Sequence, residues 1–484
     1  MHLDDAWPAY APDAKAPWNL RRAVHLHRRA GFAAAWPRLQ RDLGGEPQDA
    51  VTRLLAGNGG VADDSADGAE IARTADRAKT AHSAVIADSS AAAAEFESTA
   101  RVLADSAVSS RNDRRLKAAW IYRMLYTPDP LGERLALNWH NHFATSNRKV
   151  QDLAQMQRQN ELLRGLARAP FGELLTAVVR DPAMLVWLDA DRNRAGHPNE
   201  NLARELLELF TLGIGHYTEA DVQEAARALT GWRVLAGEFR FDRAMHDDGE
   251  KTLLGQTGPL DGDALLRIAL AHPATARRVA WRLGRMLLAD EVLDEPALEA
   301  LATGLREREL DVAWAVETVL RSQRFFSEAN VQARIAGPPE YVVGAIRALE
   351  CLAPPPSTLL LAECLTRMGQ DLFYPPGVGG WDEGRAWLDA GAMVARANFA
   401  VALVEGRLAP NSPRPDLAGL AERHAGTAAI EEAVPWLAEL LWGGAPRETT
   451  DEVVRLATRN QSDLGDPLRT AAVVLLSRPE SHVI

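Results

Sequence analysis

The stretch HPNENLARELLELFTLG, His197 to Gly213, reads as one amphipathic helix with its own start and stop signals. Pro198 and Asn199 stand where a helix start favours a preset φ and a side-chain acceptor, and Gly213 stands where a helix ends. At 100° per residue, Glu200, Asn201, Arg204, Glu205 and Glu208 fall within about 140° of arc. Leu202, Ala203, Leu206, Leu207, Leu209 and Phe210 fill the rest. One face therefore carries three carboxylates, an amide and a guanidinium. Two accounts fit such a face. Glu200, Arg204 and Glu208 at four-residue spacing make a solvent-facing charge ladder worth about 0.2 to 0.5 kcal/mol per pair. Alternatively, the same side chains line a site.

Outward from this segment the helical rhythm persists, with Leu, Ala, Val and Trp recurring three and four residues apart between Gly, Pro and Asp breaks. The pattern predicts an all-α protein: a single large helical domain over residues 1–400, with residues 401–484 a C-terminal helical segment packed on it. One exception lies at Trp232 to Phe241, where VLAGEFRF offers two short β-rich pieces around Ala236 and Gly237 and predicts a hairpin. Residues 61–110, rich in Ala, Ser, Asp and Thr, read as surface helices or a loosely packed insertion, with surface helices preferred. Two Pro-rich breaks, GPPEY at 337–341 and APPPS at 353–357, bracket a helix and offer a boundary for a smaller C-terminal part. From Phe373, FYPPGVGGWDEGRAWLDAG cannot be one regular helix, because proline removes donors and glycine costs entropy. Trp381 and Trp387 in it are expected in the core, with a ligand-facing wall as the alternative.

Composition excludes more than it selects. With 484 residues, 47% hydrophobic and 25% charged, the chain is of ordinary globular type. A formal charge of -12 disfavours a nucleic-acid surface, which needs a local excess of Lys and Arg. No apolar run approaches the roughly 18 residues of a membrane span, and the acidic opening MHLDDAWPAYAPDAK lacks a signal-peptide stretch. The cytoplasm is the default expectation, with export left open should the sequence begin downstream of such a signal. Cys351 and Cys364, the only cysteines, form neither a disulfide framework nor a zinc cluster. There is no phosphate-binding P-loop, no strand-borne dinucleotide fingerprint and no serine-hydrolase elbow.

Two further segments concentrate polar chemistry. NWHNHFATS sets His140 and His142 two residues apart, about 200° on a helix but the same side of an extended chain, so they can share an ion only if the helix has ended. FDRAMHDDGEKTLLG gathers His246, Asp247, Asp248, Glu250 and Lys251 in a loop that does not fit the EF-hand pattern. Either can equally be structural, a buried histidine pair and a solvated turn.

The segments NWHNHF, HPNENLARELLELFTLG, DVQEAARALTGW at 221–232, HDDGEKTLLG and GQDLFYPPGVGGW at 369–381, followed by Trp387 and Arg396, together resemble a bacterial family known as domain of unknown function 1800. The likeness runs from WNLRRAVHLHRRAGF at Trp18 to about Arg396. It implies that these segments belong to one design and meet in space, and it supplies no reaction. Many such relatives carry an export signal that the acidic start lacks.

Imidazoles and carboxylates in these segments suit a divalent ion such as Zn, Mn or Fe, able to activate water or oxygen. The expected site takes metal ligands from His140, His142, Glu200, Glu205 and His246. Glu208 or Asp247 is its general base, and Arg204 with Lys251 holds an anionic substrate group. Asn199, Asn201, Trp232, Trp381, Trp387 and Arg396 complete the pocket. Hydrolysis is preferred to oxidation. A second reading is a non-catalytic scaffold for a protein or polymer partner, its polar residues locked in a structural network. A third is a sugar-binding wall of Trp381, Trp387 and Tyr374.

Overall fold

Helix-forming sequence yields helices throughout. The computed structural model describes residues 3–57, 89–352, 355–408, 414–459 and 466–484, and it is mainly helical, at 63%. Among the described residues the sheet content is two antiparallel pairs. No helix there is long and apolar enough to cross a membrane.

The expected hairpin is present. Strand β1 (Trp232–Leu235) pairs with β2 (Glu238–Phe241), Trp232 opposite Phe241 and Leu235 opposite Glu238. Ala236 and Gly237 both take positive φ, 52° and 77°, which gives the two-residue turn whose twist matches the strands. A second hairpin was not expected: β3 (Lys251–Leu253) pairs with β4 (Gln256–Gly258) across Leu254 and Gly255 at φ 47° and 81°. Strands of three residues are too short to show alternation, and leucine is an unusual occupant of positive φ. Asp221 holds the turn in place by accepting from the Leu254 N–H at 2.7 Å.

The chain divides into two compact units, each assembled from separated stretches. The first takes Met1–Pro8, Leu135–Leu320 and Phe373–Trp381. Its core includes Trp139, Phe143, Phe171 and Phe210, with Phe143 edge-on to Phe210 at 5.1 Å and Trp139 5.9 Å from Phe171. The second takes Ala9–Arg134, Arg321–Leu372 and Asp382–Ile484. Trp120 and Trp442 are among its largest buried side chains, and the Trp442 indole donates to Ser481 Oγ at 2.7 Å.

Of the stretch 61–110, residues 61–88 lie outside the described residues. The rest forms the helix Ser89–Ser109, which buries Phe96, Ala100, Ala104 and Ala107 on one side. Spacings of four, four and three make that a single apolar stripe, as a surface helix requires. Between the two Pro-rich breaks runs the helix Pro338–Ala348, buried along its whole length.

Candidate functional site

The 197–213 segment is not one regular helix. Its start is built by asparagines: Asn193 Oδ1 accepts from the Asn199 N–H at 2.9 Å, and Asn199 Oδ1 accepts from the Asn201 N–H at 3.0 Å. Asn201 also donates to Asp189 at 3.2 Å, a carboxylate shared with Lys149 at 2.7 Å. An α-helical turn over Asn201–Glu205 then widens into a π-helical turn over Leu206–Thr211. The Leu212 N–H bonds Leu207 O five residues back at 2.9 Å, and Thr211 Oγ1 donates to Leu206 O at 2.6 Å. One extra residue per turn delays every position after Glu205 relative to the 3.6-residue wheel.

That delay redistributes the charged face. Arg204 pairs with Glu200 at 3.0 Å and, bidentately, with Glu219 of the next helix at 2.8 and 2.7 Å. The charge ladder therefore has one rung, since Glu208 takes a different partner, the Tyr217 hydroxyl, which donates to its Oε2 in a short hydrogen bond. Burial and this carboxylate push the Tyr217 phenol up to about 12. Glu205 is half-buried, and burial together with the charge of Glu208 raises its carboxyl above the usual range. The half-buried guanidinium of Arg278 feels Glu208, lies 5.0 Å from the Trp281 ring centre and donates to Leu209 O at 3.4 Å.

The two histidines are separated by their helix. Pro130–His142 remains helical through His142, so the imidazoles project on opposite sides. His140 stacks on Trp381 at 5.3 Å and meets Phe373 edge-on at 5.7 Å. Burial drives its imidazole down to about 3. His142 sits among Trp139, Phe143 and Phe210, and its Nε2–H donates to Phe210 O at 3.2 Å. Burial, with Arg282 and Arg278 nearby, holds it neutral far below its ordinary value. Between the two, Asn141 Oδ1 accepts from the Trp381 N–H at 2.7 Å. A Cβ on Gly380, which has φ 89°, would fall 2.2 Å from that oxygen, so the loop closes there only through glycine. Tyr374 in the same loop accepts from Asn147 Nδ2 at 2.9 Å.

The HDDGEK loop is tied to the helix Glu219–Ala228. That helix begins with a capping box in which Thr218 and Asp221 exchange bonds of 3.2 and 2.9 Å. Near its end, Arg227 grips Asp247 at 2.8 and 3.1 Å and Glu224 at 2.8 and 2.9 Å. Arg227 holds the Asp247 carboxyl low, at about 2, helped by the Gly249 N–H at 2.9 Å. Lys251, 1% exposed, donates to Gly249 O at 2.9 Å and to Asp247 O, and burial lowers its ammonium. Thr230 Oγ1 accepts from the Asp247 N–H at 2.8 Å, while His246 Nδ1–H donates to Thr230 O at 2.8 Å. Asp248 and Glu250 are exposed, Asp248 paired with Arg243 at 2.7 Å.

Trp232 is core: Phe239 meets it edge-on at 5.2 Å, the Arg180 guanidinium lies over it at 5.4 Å, and Gly262 leaves room that a Cβ would fill to within 2.3 Å. Trp381 is also buried, at 4% exposure. Trp387 and Arg396 belong to the second unit, Trp387 packed against Gly337 and Arg396 bonded to Ala336 O at 2.7 Å.

The expected ligand set of His140, His142, Glu200, Glu205 and His246 is therefore not assembled. Among the described residues no group of three His, Cys, Asp or Glu is placed to hold a metal ion. The histidines point apart into aromatic packing or bond a carbonyl, and Glu200 is paired with Arg204. Arg204, Asp247 and Lys251, expected in catalytic roles, are engaged in bonds within the fold. What the structure does bring together is Glu205 and Glu208 with Tyr217 and Arg278, the last two missed from sequence. Tyr217 follows the GIG break after the π turn, a weak signal, and no spacing links Arg278 to Glu208.

The class defined by these features is a mainly helical protein of two units, each assembled from separated stretches of the sequence, with a carboxylate pair on a π turn. The chain belongs to the family described as protein of unknown function, DUF1800, which matches residues 25–483. Comparison with curated proteins and with solved structures returns no match.

Proposed function

We propose that the protein is a hydrolase whose acid–base chemistry is carried by Glu205 and Glu208. The observation that supports this is the pair itself: two carboxylates three positions apart on a widened turn, kept in different surroundings. Burial and the neighbouring charge favour the proton on Glu205, while Glu208 is oriented by Tyr217 and faces the field of Arg278. Titratable pairs whose environments differ in this way suit one donor and one base. Glu205 then protonates a leaving oxygen, Glu208 activates water, and Arg278 attracts an anionic substrate group. The test is a panel of ester, phosphoester, glycoside and amide substrates, each with and without chelator, on wild type, Glu205→Gln and Glu208→Gln. Turnover lowered about 100-fold or more in both folded variants is expected. Turnover unchanged in either, or a wild-type protein inert across the panel, rejects the proposal.

A second reading, a binding scaffold for a protein or polymer partner, draws support from the closed network of Arg227, Asp247, Thr230 and Lys251. Such a network stiffens a fold without requiring chemistry.

A further inference from the structure

The second unit buries an imbalance of charge that the hydrolase proposal does not touch. Arg28, Arg29, Arg134, Arg334 and Arg396 surround one buried carboxylate, Glu340. Both oxygens of Glu340 are already used: Oε1 takes Arg134 and Arg334, and Oε2 takes the Gly337 N–H. Glu383, the other carboxylate felt by Arg134, is exposed. Arg29 donates to Asn330 O at 2.8 Å and to an Ile484 oxygen at 2.5 Å, and Arg396 to Ala336 O at 2.7 Å; even with the Ile484 oxygen counted as an anion, five guanidinium groups face two. Burial pulls Arg29 well below its ordinary value, and Arg334, Arg134 and Arg28 add to the fall. Guanidinium keeps its proton in proteins, so this strain calls for a counter-charge.

Beside the cluster is a cavity of about 20 Å³ lined by Arg28, Glu340, Tyr341, Gly344 and Ser481. Arg28 is half-buried and sends Nη2 to Ser481 O at 3.2 Å, yet its Nη1 is sealed from solvent with no hydrogen-bond partner among the described residues. The Tyr341 hydroxyl is committed to Leu476 O at 3.0 Å. Room on this scale holds one particle about the size of water and excludes sulfate or phosphate.

We infer that this cavity is a structural halide site, in which chloride is held by the Arg28 guanidinium and offsets the buried arginine cluster of the second unit. Lone water is the competing occupant, and the two differ in charge and in electron-rich analogues. The full-length protein is melted in sodium chloride, bromide and gluconate at constant ionic strength, and crystals soaked in bromide are measured at the bromine edge. Chloride and bromide raise the melting temperature saturably, by about 3 °C over gluconate, and an anomalous peak lies within hydrogen-bond reach of Arg28 Nη1. Arg28→Met, which keeps the stem, loses the halide-dependent shift; Arg28→Lys, which keeps a cation, retains part of it. Equal melting in all three salts, or a bromide map without that peak, overturns the inference whether or not either variant folds.

Discussion

Replacing Asp247 by Asn removes one charge from the most tightly knit polar cluster while preserving its shape. The carboxylate accepts from Arg227 at 2.8 and 3.1 Å and from the Gly249 N–H at 2.9 Å, and its side chain is 23% exposed. Its carboxyl stands at about 2 in the folded protein against an ordinary 3.8. At about 1.4 kcal/mol per pH unit, that difference corresponds to roughly 2.5 kcal/mol, and partial exposure to water trims it to about 1 to 2 kcal/mol. The sign follows from the direction. A carboxyl depressed on folding stabilises fully above its unfolded value, and that contribution disappears as pH falls from about 4 towards 2. Urea unfolding of wild type and Asp247→Asn between pH 7 and pH 2.5 reads this directly. The gap should be about 1 to 2 kcal/mol at pH 7 and should narrow steadily below pH 4, where protonated aspartate resembles the amide. Equal stability at pH 7, or a gap that does not change with pH, would refute the assignment of Arg227–Asp247 as a stabilising pair.

Three other outcomes are expected. Glu205→Gln should raise the melting temperature at pH 7 to 8 by about 1 to 3 °C, because a carboxyl raised by burial and by Glu208 costs stability once ionised; a lower melting temperature contradicts this. Gly380→Ala should cost about 2 to 4 kcal/mol, from the Asn141 clash and the positive φ together, and intrinsic tryptophan fluorescence during denaturation reports it; a cost under about 0.5 kcal/mol would mean the loop simply shifts. His140→Phe should flatten the loss of stability on acidification. A histidine held neutral in the fold, with its value lowered to about 3, opposes folding progressively as pH drops below about 6.5, and an unchanged acid slope in the variant would exclude that role.

The hairpin at 232–241 was legible because Gly237 supplies a positive-φ turn residue between two β-rich pieces, a local signal. The helical class was legible for the same reason, since periodicity is a local signal. The carboxylate face was half legible. The wheel assumes 100° at every residue, and the π turn after Glu205 breaks that assumption through a Thr211 hydroxyl bond and packing that no spacing announces. Residue type named His140 and His142 as ligands, but direction decided otherwise: aromatic neighbours from distant segments, Trp381 and Phe210, claim the two rings from opposite sides. Arg227 shows the reverse case. It lies inside a family-like segment, yet its value as the organiser of Asp247 and Glu224 appears only when the two stretches meet.

The order of stretches in the two units has a consequence for synthesis. Ala9–Arg134 must wait for Arg321 onward before its own unit can close, with the whole of 135–320 made in between. At about 5 to 20 residues per second, those roughly 190 residues take some 10 to 40 seconds. For that interval Trp120, only 2% exposed in the finished unit, lacks the later segments that complete its core, while Leu135–Leu320 emerges as one uninterrupted piece. The middle stretch in turn is completed only when Phe373–Trp381 arrives to pack on His140 and Asn141. Slowing translation after residue 320 should therefore lower yield more than slowing it before Ala9–Arg134 has been made, because it prolongs that wait.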